Sequence, residues 1–325
     1  MTTKIRHWSA VLCIGAMAVL SLSACGRGSA DAGTKPTAVA TIFAYNDALR
    51  VIGGPDVNVV LLLPPGQSPH DYTPVPQNKS DVMKAQLIVK NGLELDSWVD
   101  RLAADNKTAI VLSIGDSEKV IKTEEMELPA ESPATGTKAI QKDEHEEHGH
   151  AHHHDMGNPH LWLDPTIQMR VAQKIRDALI KIDPAHRTGY TERAEAYLVD
   201  LKKLDADFMA STATFKHKEF IGFHSAYDYL AKRYGLVQVA SISEVDGTGL
   251  TPMQIRKVVD LINERKIPVV FSETAFDSRQ AENVTKQTGV KLGTLQPLET
   301  YDNVNDTYIG LMRQNLASLE KYMKD

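Results

Sequence analysis

Cysteine is almost absent from this sequence: 325 residues contain two, Cys13 and Cys25, both at the N-terminal end. No disulfide framework can form in the chain that follows Cys25. An excess of positive charge is missing too. Lys and Arg number 36 against 42 Asp and Glu, a formal charge of −6, which argues against nucleic acid as a partner. Beyond residue 25 no apolar run approaches the roughly 20 residues that span a bilayer. Catalytic signatures are missing as well. There is no Gly-x-Ser-x-Gly elbow, and His145-Glu146-Glu147-His148 lacks the His-Glu-x-x-His spacing of a zinc hydrolase.

The first residues are set apart from the fold. Lys4 and Arg6 precede an apolar run over Val11–Leu22, and Leu22-Ser23-Ala24-Cys25 closes it. This pattern predicts a signal peptide over 1–24, with Cys25 as a lipid-modified first residue, on a bacterial lipobox pattern. Residues 25–36 are small and polar, as a flexible tether requires. The expected location is the extracytoplasmic face of a cell membrane, held by lipid.

What the chain has in abundance is histidine in one place. Six of its twelve histidines, His145, His148, His150, His152, His153 and His154, lie among carboxylates between Asp143 and Asp155. Imidazole with carboxylate suits zinc and its transition-metal neighbours. The surrounding stretch, Glu118–Asp155, has almost no large apolar side chains and reads as an insert without a core of its own. Its histidines are expected to be a secondary, low-affinity metal site. They would act as an arm that gathers zinc or as a sensor of abundant zinc; a dispensable linker is the bland alternative.

From Thr37 onward, short β-branched runs alternate with helix-period segments. Strands are predicted at 38–43, 57–63, 85–89 and 109–114, and again at 219–223, 236–240, 268–271 and 290–295. Such alternation implies parallel sheets covered by helices, an α/β fold. Helices are predicted at 46–52, 78–84, 97–106 and 166–182 in the first half. In the second they fall at 225–234, 252–265, 278–288 and 306–323. Between the halves, Tyr190, Ala194, Tyr197, Leu201, Leu204 and Phe208 keep a helical apolar stripe over 184–213, long enough for a strut. The domain expectation is therefore 37–183, with its insert at 118–155, then a linking helix, then 214–325.

Ligands of open parallel sheets gather beyond the carboxyl ends of strands. Four polar residues stand at such places. His70 lies in the Pro-rich loop after 57–63, and His160 in the stiff Asn-Pro-His-Leu-Trp-Leu-Asp-Pro segment. His224 directly follows 219–223, at the head of the next helix, and Glu299 follows the last strand. Three imidazoles and one carboxylate, two from each half, would close a tetrahedral metal site in the cleft between them. A histidine-based site should lose metal as its rings protonate below about pH 6.

Gly66–Pro74, Asn158–Pro165, Phe223–Leu236 and Gly293–Glu299 together resemble the zinc- and manganese-binding lipoproteins of bacterial ABC importers. The resemblance runs from Thr37 to Tyr322. It implies two (β/α)4 domains with mainly parallel four-stranded sheets, joined by one long helix. It also implies metal carried by His70, His160, His224 and Glu299, with glutamate at 299 as in the zinc members. A monomeric receptor, an ABC permease and its ATPase follow from the same resemblance, with Zn2+ as the transported ion and Mn2+ as the alternative. A zinc hydrolase and a surface adhesin are the competing classes. The Glu244–Thr251 loop departs from the family's pattern.

Overall fold

The computed structural model describes residues 34–121, 157–243, 249–274 and 278–325. The signal segment, Cys25 and the six clustered histidines lie outside these described residues.

Among the described residues, eight short strands form two sheets of four. The first contains β1 (Thr37–Ala40), β2 (Asn58–Leu61), β3 (Leu87–Lys90) and β4 (Ile110–Ser113), in the order β2-β1-β3-β4. The second contains β5 (Glu219–Gly222), β6 (Val237–Ser241), β7 (Val269–Ser272) and β8 (Lys291–Thr294), in the order β6-β5-β7-β8. Every strand pairing in both sheets is parallel. The two halves thus repeat one topology, and each sheet reverses its winding beside its first strand.

Helices connect the strands: α1 (Phe43–Gly53), α2 (Pro76–Lys84), α3 (Trp98–Ala103) and α4 (Pro165–Ile182) belong to the first half. In the second half are α6 (Asp228–Tyr234), α7 (Pro252–Arg265), α8 (Arg279–Thr288) and α9 (Tyr308–Met323). Between them runs α5 (Arg187–Thr212), entered through a 3-10 turn at Pro184–His186. The chemistry at several ends is explicit. Asp164 accepts the Thr166 amide and Pro165 takes the first helical position of α4. Thr251 and Gln254 form a reciprocal capping box on α7. Among the described residues no helix is long and apolar enough to cross a membrane.

Strand periodicity distributes side chains between cores. Ala38, Ala40, Leu87 and Val89 face one large apolar cluster, while Val39 and Ile88 face a smaller one with Val82, Trp98 and Val99. In the second sheet Val269 and Phe271 face the large cluster, and Val270 faces Ile221, Val258, Ile262 and Val284. Successive residues of a strand point to opposite faces, so both sheets are covered on both sides. The large cluster is common to both halves and contains α1, α4, α5 and α9 residues. Contacts accordingly gather Lys35–Asp325 into one compact unit.

All predicted strands and helices are present, with shifted ends. The first strand stops at Ala40 because Phe43 already begins α1; Ile42, Phe43 and Ala44 are all buried, so the apolar run passes from strand to helix without a break. His224 is not at a helix head: it sits in the bend between β5 and α6, four positions before Asp228. Residues 118–121, expected to open the insert, are tied to the fold. Glu118 is clasped by Arg170 and Lys174 at 2.6 and 3.0 Å, and Val120 and Ile121 pack against the main core.

Candidate metal centre

The chain presents His70, His160, His224 and Glu299 from four loops, and one potential donor atom of each lies within 4.8 Å of all the others. The Nε2 of His160 is 3.3 Å from that of His70 and 3.1 Å from that of His224. Glu299 Oε1 is 3.1 Å from His160 Nε2, 3.4 Å from His70 Nε2 and 3.7 Å from His224 Nε2. Tetrahedral zinc with metal–nitrogen distances of about 2.0–2.1 Å spaces its donors about 3.3 Å apart. The donor set has that size. His160, His224 and Glu299 are buried; His70 is half-buried as a residue, but its ring is nearly covered, at 5 % exposure.

His160 and His224 are held from behind. His160 gives its backbone N–H and its Nδ1 to Asn158 Oδ1, at 2.9 and 2.8 Å. The orientation of the Asn158 amide is set by its other end, since Nδ2 donates to the Ser225 carbonyl at 2.9 Å and to Asp228 Oδ2 at 2.8 Å. An amide oxygen only accepts, so His160 carries its proton on Nδ1 and aims the Nε2 lone pair into the cluster. The preceding Pro159 carbonyl accepts from Asn91 Nδ2 at 3.0 Å. His224 Nδ1 faces both oxygens of Glu273, at 2.9 and 3.0 Å, and its carbonyl accepts from Gln238 Nε2 at 2.7 Å. Gly222 makes room for that contact: a Cβ there would stand 2.4 Å from Gln238 Nε2.

The Glu299 loop is tied to the first half. Its carbonyl accepts the Phe43 amide at 2.8 Å, and Trp162 Nε1 donates to the Pro297 carbonyl at 2.6 Å. Leu298, buried beside the carboxylate, takes φ 59°, a left-handed conformation that costs a non-glycine residue on the order of 1 kcal/mol. The strain lies one residue before Glu299, where the chain turns to present it.

The protonation pattern follows from these surroundings. Burial, reinforced by charge on His224 and His70, lowers His160 to about 3 against the pull of Glu299. Burial also opposes charge on His224, but Glu273 and Glu299 outweigh it and lift the ring to about 10. For Glu299, burial would raise the carboxyl, yet the imidazoles converging on it hold it well below the usual range. Burial raises Glu273. One contact is better read otherwise than as a hydrogen bond. With His160 neutral and its proton on Nδ1, its Nε2 and Glu299 Oε1 are two acceptors facing each other at 3.1 Å. The place between them can take a proton from the charged His224, whose Nε2 is 3.1 Å from that of His160, or a metal cation in its stead.

The structure brings together all four residues expected to form the site. Two further participants were not anticipated. Glu273 directly follows β7, so the strand-end rule that selected the others also applied to it. Asn158 was part of the stiff segment around His160, but its role depends on contacts to Ser225 and Asp228, which are distant in sequence.

A family model described as zinc-uptake complex component A, periplasmic (ZnuA), matches residues 38–322. The iron-binding protein YfeA of Yersinia pestis is 29 % identical over 299 residues, 90 % of this chain and 87 % of that one. The zinc-binding lipoprotein AdcA of Streptococcus pneumoniae is 27 % identical over 317 residues, 95 % of this chain; the chain spans only 60 % of AdcA's length. Among solved structures, ZnuA superposes with a TM-score of 0.73 at 23 % identity, covering 89 % of this chain and all of the other (100 %). The laminin-binding protein Lmb of Streptococcus agalactiae gives 0.73 at 23 % identity, covering 88 % and 99 %. These two share the fold. The family model spans both sheets and all four converging side chains, and the chain belongs to the ZnuA family of zinc-uptake complex components.

Proposed function

We propose that this protein is an extracytoplasmic receptor that captures Zn2+ with His70, His160, His224 and Glu299 and delivers it to the permease of an ABC importer driven by its ATPase. The observation that carries the reading is the convergence of His70, His160, His224 and Glu299, whose donor atoms all lie within 4.8 Å of one another. A cation at their centre is within reach of all four donors. Three imidazoles and one carboxylate form a borderline-soft set that favours zinc over manganese. Relatives carry names or titles that mention iron, zinc and manganese, so the donors of this chain decide the metal. Four protein donors also leave no position for an attacking water, which favours carriage over hydrolysis. Likeness to Lmb is likeness of fold and supplies no argument for adhesion.

In this reading residues 37–183 and 214–325 act as two domains around the ion, with 184–213 as the linking helix, and the receptor works as a monomer. Cys25 carries the lipid that keeps it near its permease. The histidines at 145–154 collect zinc weakly before it enters the main site. Directional uptake requires the permease to prefer the zinc-loaded form.

Titration of chelator-stripped protein with zinc against manganese tests the reading. Zinc should bind at one tight site and win the competition. His160→Ala and Glu299→Ala should each weaken it by more than the roughly 10–100-fold that loss of an outer partner costs. Unchanged zinc binding in both variants, or preference for manganese, would overturn the assignment.

A further inference from the structure

We infer that Glu273, which is not itself among the converging donors, is a positioning residue for His224 and sets the site's preference for a doubly charged ion. The inference rests on the zinc-receptor reading and deepens it. Glu273 is 2 % exposed and stands at the carboxyl end of β7, beside the strand that leads to His224. Both of its oxygens lie at hydrogen-bond distance from His224 Nδ1, 2.9 and 3.0 Å, and the Tyr227 hydroxyl donates to Oε1 at 3.3 Å. The carboxylate fixes the proton of His224 on Nδ1 and leaves Nε2 for the ion, because a carboxylate accepts and an imidazole bound through Nε2 must donate from its other nitrogen.

The two histidines of the central pair are backed differently. His160 leans on Asn158, a neutral amide, whereas His224 leans on an acid. An amide would have sufficed for orientation alone. The acid adds a second carboxylate to the one on Glu299, so the buried centre brings two acids to a divalent cation. In a low-dielectric site an unmatched charge costs several kcal/mol, so this pairing penalises monovalent cations that imidazole would otherwise accept. Glu273 therefore acts through His224 on affinity and through its charge on selectivity.

Two substitutions separate these roles. Glu273→Gln keeps the shape and an accepting oxygen but removes the charge, and Glu273→Ala removes both. Zinc affinity should fall about 10-fold in the first and about 100-fold in the second. Affinity for Ag+, a monovalent probe, should fall less than that for zinc in Glu273→Gln, so the Zn2+/Ag+ ratio drops. In a His224→Ala background, Glu273→Gln should cost zinc a clearly smaller factor than it does in the parent, because the pathway through the ring is gone and only the effect of the charge remains. Circular dichroism and the melting point of the metal-free variants report folding, and the near-isosteric Gln variant remains informative if the Ala variant unfolds. Zinc affinity in Glu273→Gln within twofold of the parent, an unchanged Zn2+/Ag+ ratio, or an equal loss with and without His224 would each overturn the inference. Failure of the parent protein itself to bind zinc would instead overturn the receptor assignment.

Discussion

At the scale of single residues, His160 and His224 are one chemical type in two electrostatic situations. His160 stays neutral to about 3, while His224 holds a proton up to about 10 in the metal-free protein. The expectation of one loss of affinity below about pH 6 treated the rings as alike, and their surroundings separate them. Zinc needs the Nε2 of His224, so binding must expel that ring's proton. The folded value lies above the ordinary 6.5, so the competing proton is held throughout the interval from about 6.5 to about 10. Apparent zinc affinity should therefore climb about tenfold per pH unit across that interval, with about one proton released per zinc, countable by calorimetry in buffers of different ionisation heat. A pH-independent affinity between pH 7 and 9 would contradict this. His70, His224 and Glu299 were legible because each follows a strand end, and His160 because it stands in the stiff Asn158–Pro165 segment. Of their outer partners, Glu273 was open to the same strand-end rule, whereas Asn158 acquires its role only from contacts to Ser225 and Asp228, distant in sequence.

At the scale of elements, α5 carries the clearest sequence signal. All six members of its predicted stripe, Tyr190, Ala194, Tyr197, Leu201, Leu204 and Phe208, are buried, because a 3.6-residue period needs one apolar row to face the core. The helix packs against α1 and α4 of the first half and α9 of the second. Leu201 is fully covered at 0 % exposure, whereas Val199, two positions away, is 64 % exposed. Leu201→Ala should cost about 2–5 kcal/mol in urea unfolding and Val199→Ala less than about 0.5 kcal/mol. Comparable losses would mean that α5 does not face the shared core as described. Element ends were less legible. Where Ile42, Phe43 and Ala44 continue the apolar run of β1, hydrophobicity carries no mark of the change from strand to helix. Glu118 read as the start of a polar insert, since its partners Arg170 and Lys174 are half a domain away in sequence.

At the scale of the whole molecule, one buried acid joins the halves at a cost. Asp47 of α1 is 3 % exposed and accepts the Tyr308 amide at the start of α9, at 3.0 Å. Burial raises its carboxyl from 3.8 to about 6, against the lowering effects of that amide and Arg50. A raised acid disfavours the ionised folded form: the penalty is full above about pH 6, shrinks as pH falls, and is gone below 3.8. At pH 8 it amounts to about 3 kcal/mol at one pH unit per 1.36 kcal/mol. Asp47→Asn, which keeps the accepting oxygen, should raise the melting temperature at pH 8 and lose that advantage by pH 4. A destabilised variant at pH 8 would show that the ionised group is needed to hold α9.

The apolar cluster shared by the two sheets has a further consequence for how the polypeptide is assembled. A cut between Asp183 and Pro184 would leave two fragments, each with one greasy flank bare to water. Neither would persist alone, yet mixing them should restore a single cooperative body, as with two torn halves that share one seam.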